Sequence, residues 1–76
     1  MPTLNEIVNL FETTYDVELS ESGIEYLANL CLKYRDYKVY SATKICCDKY
    51  EDAEYSLDKI GGVLYNKDKD IKKYFK

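Results

Sequence analysis

The sequence predicts an all-α protein, a compact bundle of four to five short helices. Three observations lead there. Apolar residues recur at spacings of three and four, which places them on one face of a helix. Thr3, Ser20 or Ser22, Ser41 and Asp52 each stand before such a stretch, where a side-chain oxygen can cap a helix start. Three glycines and one proline in 76 residues leave few breakers. No period-two alternation of useful length competes with this pattern, and no internal repeat appears. Residues 1–76 are expected to form a single domain, one small enough to bury only about 60% of the surface its unfolded chain exposes.

The first helix is expected over 3–15. Thr3 and Glu6 form a capping box, each side chain satisfying a backbone N–H of the first turn. Leu4, Ile7, Val8, Phe11 and Tyr15 then make one apolar stripe. The second helix is expected over 21–35, capped by Ser20 (with Leu19 placed to staple onto Ile24) or by Ser22 with Glu25. Its stripe is Ile24, Leu27, Ala28, Cys31 and Tyr34, widened by Leu30. A third helix over 41–50 starts at Ser41 and puts Ala42, Ile45, Cys46 and Lys49 on one face, although the β-branched and aromatic "YKVYSAT" also suits a short extended piece. Asp52 caps the fourth, where Ala53, Leu57, Ile60 and Leu64 recur at four, three and four. Gly61 and Gly62 are expected inside that helix, each costing about 1 kcal/mol against alanine, with Gly61 allowing another backbone to approach. The competing reading ends the helix at Gly61. The tail "DIKKYFK" continues this helix or forms a short fifth one.

Composition excludes several kinds of chemistry. There is no histidine, so the usual general base near neutral pH and the commonest metal ligand are missing. Cys31, Cys46 and Cys47 make a poor zinc set without it and are read as reduced thiols. The "GG" pair is not followed by the lysine and serine of a phosphate-binding loop. "NKDKD" (66–70) has the oxygens but not the glycine and glutamate of a calcium loop, and reads as a solvated turn. No enzyme activity, metal or cofactor is expected. No apolar run is long enough to span a membrane. "MPTLNEIVNLFETTYDVE" has no basic n-region and no cleavage site, so the expected location is cytoplasmic.

The net charge of −3 is unevenly spread: residues 1–25 hold six acids and no base, whereas residues 26–50 hold five bases and two acids. Nine tyrosines without a tryptophan are the strongest compositional anomaly. A buried phenol needs a hydrogen-bond partner, so several tyrosines should lie at the surface, where they supply contact area at low entropic cost. In "YRDYKVY" (34–40) the expectation is that Tyr34 is core and that Tyr37 and Tyr40 are surface contacts beside Arg35 and Lys38. The stretch "EYSLDKIGGVLYNK" resembles the Tyr–Ile spacing of helical domains in phage replication initiators, without their tryptophan and over a small part of the chain. No residue role is carried over from it.

These features point to a small protein-binding module, an inhibitor or adaptor that covers a partner's surface. Its acidic face would comprise Glu12, Asp16, Glu18, Glu21 and Glu25, and its aromatic and basic contacts Arg35, Tyr37, Lys38 and Tyr40. Phages and mobile elements encode small chains of this kind, and by that analogy the partner is a nucleic-acid enzyme whose basic channel the acids would occupy. The alternative is a nucleic-acid-binding regulator, with the basic, tyrosine-rich 33–49 segment stacking on bases and touching phosphates. A self-associating dimer is the third possibility.

Overall fold

The computed structural model describes residues 2–62 and 70–76. Among them are four α-helices, α1 (Leu4–Tyr15), α2 (Glu21–Lys33), α3 (Asp36–Lys49) and α4 (Ala53–Ile60), and a 3-10 turn over Ile71–Tyr74. The all-α bundle expected from the sequence is what is observed. Its core is built from Ile7 and Phe11 of α1, Leu19, Leu27 and Leu30 of the α2 region, Val39 and Cys46 of α3, Leu57 and Ile60 of α4, and Tyr74 of the tail. The helix α3 lies between α1 and α4, while α2 packs against α1, α3 and the C-terminal turn.

Three of the four starts follow from capping residues. Thr3, Ser20 and Asp52 accept hydrogen bonds from the backbone N–H groups of Glu6, Gly23 and Tyr55, which would otherwise be unpaired. Asp16 ends α1 in the left-handed region (φ 53°, ψ 50°), which aspartate tolerates better than most residues. The chain then turns back, and the Glu12 carboxylate holds the turn by accepting the Leu19 N–H at 2.8 Å.

The tail completes the α1–α2 corner. Leu19 and Phe75 form an isolated antiparallel bridge. Ser20 N–H donates to the Tyr74 carbonyl at 2.9 Å, the Ser20 hydroxyl donates to the Lys73 carbonyl at 2.5 Å, and Lys76 N–H donates to the Glu18 carbonyl at 3.0 Å. Gly23 is required here: a Cβ on it would collide with the Tyr74 carbonyl oxygen.

Several expectations need correction. The helix α3 starts at Asp36, not Ser41, because Arg35 opens it without a side-chain cap and so leaves no capping signal; "YKVYSAT" is therefore helical. Its buried face is Val39, Thr43 and Cys46, with Ile45 62% exposed and Lys49 at the surface. The hydroxyl of buried Thr43 is satisfied within the helix, donating to the Val39 carbonyl at 2.8 Å. The stripe of α2 is rotated from the expected one. Gly23, Leu27 and Leu30 are buried, while Ile24 and Tyr34 are exposed, because the tail packs over the glycine. The helix itself stops at Lys33 rather than 35. Finally, α4 ends at Ile60 and does not continue through the glycines: Gly61 is its C-cap and Gly62 has φ 74°. The atom that needs Gly61 to lack a side chain is the Tyr26 hydroxyl, not a backbone. Leu64 and most of "NKDKD" lie outside the described residues.

Candidate interaction surface

The corner between α2 and α3 is a two-residue turn. Tyr34 donates its N–H to the Leu30 carbonyl at 2.8 Å and so closes α2. Arg35 is extended, and its carbonyl accepts from Lys38 and Val39 at 2.9 and 3.0 Å, which opens α3. Such a short turn uses its backbone on the two helix ends and leaves its side chains outside. Leu32 is 84% exposed, Tyr34 44% and Tyr37 48%. Lys33, Arg35 and Lys38 are exposed as well, and the Lys33 ammonium sits 5.6 Å from the centre of the Tyr34 ring, within cation–π range.

Two depressions flank Tyr34. One, of about 530 Å3, is bounded by Pro2, Cys31, Leu32, Tyr34, Arg35, Asp36 and Tyr37. The other, of about 210 Å3, runs from Tyr34 and Lys38 past Val39 and Ala42 to Ile60 and the glycines. An exposed leucine and two exposed tyrosines next to three cations form an amphipathic patch of the composition that protein interfaces use, with aromatic anchors and an arginine.

Burial disfavours the thiolate form at all three cysteines. Cys31 is pushed up to about 11, first by burial and then by the neighbouring Asp36 carboxylate, which also hydrogen-bonds it. Cys46 and Cys47 are raised as well, mainly by burial. Each is therefore held as the neutral thiol near pH 7, a poor nucleophile. All three cysteines are free. Among the described residues no group of three or more His, Cys, Asp or Glu is placed to hold a metal ion, and no helix is long and apolar enough to cross a membrane.

The candidates singled out in the sequence are not all brought together. Arg35, Tyr37 and Lys38 share the corner. Tyr40 does not: it is half-buried against the core and faces α1 beside Leu10 and Thr14, because the earlier start of α3 turns it inward. Tyr34 is at the surface rather than in the core for the same reason, since α2 has ended before it. Of the acids, Glu12 is engaged with the Leu19 backbone and Glu18 pairs with Lys76 at 3.8 Å. Asp16, Glu21 and Glu25 remain exposed. Sequence reasoning missed Leu32, although a signal existed: it is the one leucine of α2 that falls off the apolar stripe. No protein-family model matches the chain, and comparison with curated proteins and with solved structures finds no match.

Proposed function

We propose that the chain is a small non-catalytic protein-binding module, an inhibitor or adaptor that docks through the α2–α3 corner. The observation that carries the reading is the exposure of Leu32 between Tyr34, Tyr37 and Pro2. A leucine 84% open to water adds nothing to a phosphate contact and little to base stacking, but it is an efficient anchor in an apolar hollow of another protein. The rim of Lys33, Arg35 and Lys38 calls for carboxylates around that hollow, which would steer encounter and fix orientation.

The second reading is nucleic-acid binding by the same corner, favoured by the grouping of Tyr34 and Tyr37 with the three cations. The net charge of −3 and Asp36 in the middle of the patch oppose it. The two readings are separated by titrating the purified protein into labelled single- and double-stranded DNA and RNA at two salt concentrations. In parallel, a protein captured by the wild-type chain is identified, purified and titrated against wild type, Leu32→Glu and Tyr37→Ala. The docking reading expects a protein partner whose affinity falls at least about tenfold in both variants and no nucleic-acid binding at low salt. Steeply salt-dependent binding to nucleic acid, lost in the Lys33/Arg35/Lys38 triple alanine, would replace it with the second reading.

A further inference from the structure

The outward face of α2 has a pattern that matches itself when reversed. Ile24, half-buried Ala28 and Leu32 are spaced by four and form a shallow apolar diagonal that starts on the flank beside buried Leu27 and drifts outward to Leu32. Ile24 is 37% and Leu32 84% exposed. At the N-terminal end of this diagonal stand two exposed acids, Glu21 and Glu25; at its C-terminal end stand two exposed bases, Lys33 and Arg35. Among the described residues none of these four charges forms an ion pair within the chain. Glu21 and Glu25, four apart on one helix face, repel one another in the isolated chain.

We infer that this face pairs with the α2 of a second copy, antiparallel and across a two-fold axis near Ala28. The inference goes beyond the docking reading, with which it shares Leu32 but not the rest of the surface. An antiparallel two-fold brings Ile24 opposite the partner copy's Leu32, Ala28 opposite its own equivalent, and the acidic end of each helix opposite the basic end of the other. Glu21 then falls level with the partner copy's Arg35, and Glu25 comes within two residues' rise of its Lys33, twice each, as an isologous interface requires. Ala28 at the centre, with no bulk beyond its methyl group, lets the two helices approach closely. Orientation follows from charge: a parallel arrangement would stack acid on acid and base on base. A helix of thirteen residues is about 20 Å long, and one such contact falls short of the roughly 1,200 Å2 of a standard stable interface. The dimer is therefore a weak one, formed at high protein concentration and weakened by salt.

Sedimentation equilibrium of the purified chain up to about 1 mM, at low and high salt, reads this directly. The expected result is a mass rising from one copy toward two with concentration, and rising less at high salt. Leu32→Glu, Glu25→Lys and Lys33→Glu each weaken association by about tenfold or more; all three positions are solvent-exposed, and circular dichroism confirms that each variant folds. An equimolar mixture of Glu25→Lys and Lys33→Glu restores association, because the two-fold then sets each new charge against its opposite. A chain that stays monomeric throughout, or a dimer indifferent to these substitutions, overturns the pairing. A mixture that fails to recover, after both single variants have lost association, overturns the antiparallel register. A monomeric result leaves the docking reading to the partner titration, which does not depend on self-association.

Discussion

Two sets of tyrosines divide the molecule. At one set, the phenol closes a helix. The Tyr15 hydroxyl, from the end of α1, donates to the carbonyls of Tyr50 at 2.8 Å and Cys46 at 3.2 Å, the residue that caps α3 and one in its last turn. The Tyr26 hydroxyl, from α2, reaches the carbonyls of Leu57 at 2.9 Å and Asp58 at 3.5 Å, in the last turn of α4. The last carbonyls of a helix lack the usual intrahelical partner; Tyr15 and Tyr26 each supply one from a neighbouring helix, to Tyr50 and Leu57, while the Cys46 and Asp58 carbonyls also accept the backbone N–H groups of Tyr50 and Gly61. At the α2–α3 corner, by contrast, Tyr34 and Tyr37 have half their surface in water. The same residue type thus locks helix ends in one region and offers contact area in the other. An excess of tyrosine in a small domain need not mean a binding surface; what distinguishes the two uses is whether the hydroxyl reaches a helix C-terminus.

The largest expected effect tests that division. Tyr26 stacks on Tyr74 with ring centres 4.9 Å apart and fills the space over Gly61. Tyr26→Ala should cost about 3 kcal/mol of stability by denaturant unfolding. Tyr34→Ala should stay within about 0.5 kcal/mol, as for an ordinary surface change. Comparable losses at the two positions would mean that the corner is as much a part of the fold as the helix-closing pair, and that it is not available to a partner.

Next in size is Gly23→Ala, at about 1–3 kcal/mol. The added methyl group meets the backbone carbonyl of Tyr74, and the tail must move for it to fit. A methyl group on Gly62 meets none of the described residues within 4 Å, but the φ there is 74°, so Gly62→Ala should cost about 1–2 kcal/mol in backbone strain. A tail displaced in Gly23→Ala should become a site of proteolytic cleavage, whereas Gly62→Ala should leave it protected.

The same contrast explains what the sequence could reveal. Capping oxygens act within three residues of themselves, so the starts of α1, α2 and α4 were legible from Thr3, Ser20 and Asp52. The start of α3 was not, because Arg35 opens it through its carbonyl, which every residue possesses. Faces were harder than boundaries. The buried side of α2 runs through Gly23, which carries no hydrophobic signal and is buried because a strap from the far end of the chain lies on it. The apolar stripe from Ile24 to Tyr34 shares Leu27 and Leu30 with the buried face but is rotated from it toward Ile24, since the tail's position depends on contacts some fifty residues apart. Arg35, Tyr37 and Lys38 were readable as surface from their polarity. Leu32 was signalled only by falling off the apolar stripe of α2.

Removing only the hydroxyls should give smaller effects. Tyr15→Phe and Tyr26→Phe keep the rings and take away the hydrogen bonds, each costing about 1 kcal/mol. Tyr37→Phe should cost nothing measurable. A double-mutant cycle between Tyr15→Phe and Tyr26→Phe should be additive, because the two hydroxyls close different helices. A coupling well above about 0.5 kcal/mol would show that the ends of α3 and α4 are held as one unit.

The smallest effect lies in alkaline solution and separates the regions once more. The Tyr26 phenol is pushed well above its ordinary 10.0, first by burial and then by the Asp58 carboxylate. The Cys31 thiol, bordering the corner, rises from 9.0 to about 11. For both groups the folded chain holds its proton more tightly than the unfolded one. The stability they contribute is complete below the unfolded pKa and is lost as pH rises through the folded one. Loss from Cys31 thus falls between pH 9 and 11, and loss from Tyr26 begins above 10 and runs higher. Thermal melts across this range should show the Cys31→Ala variant losing less stability than wild type over the first interval, and Tyr26→Phe losing less over the second. The Cys31 contribution is the smaller, because the thiol is only part-buried and water screens its interaction with Asp36. If Cys31→Ala follows wild type throughout, neither burial nor the Asp36 carboxylate raises the thiol in solution, and the corner is more open than its geometry implies.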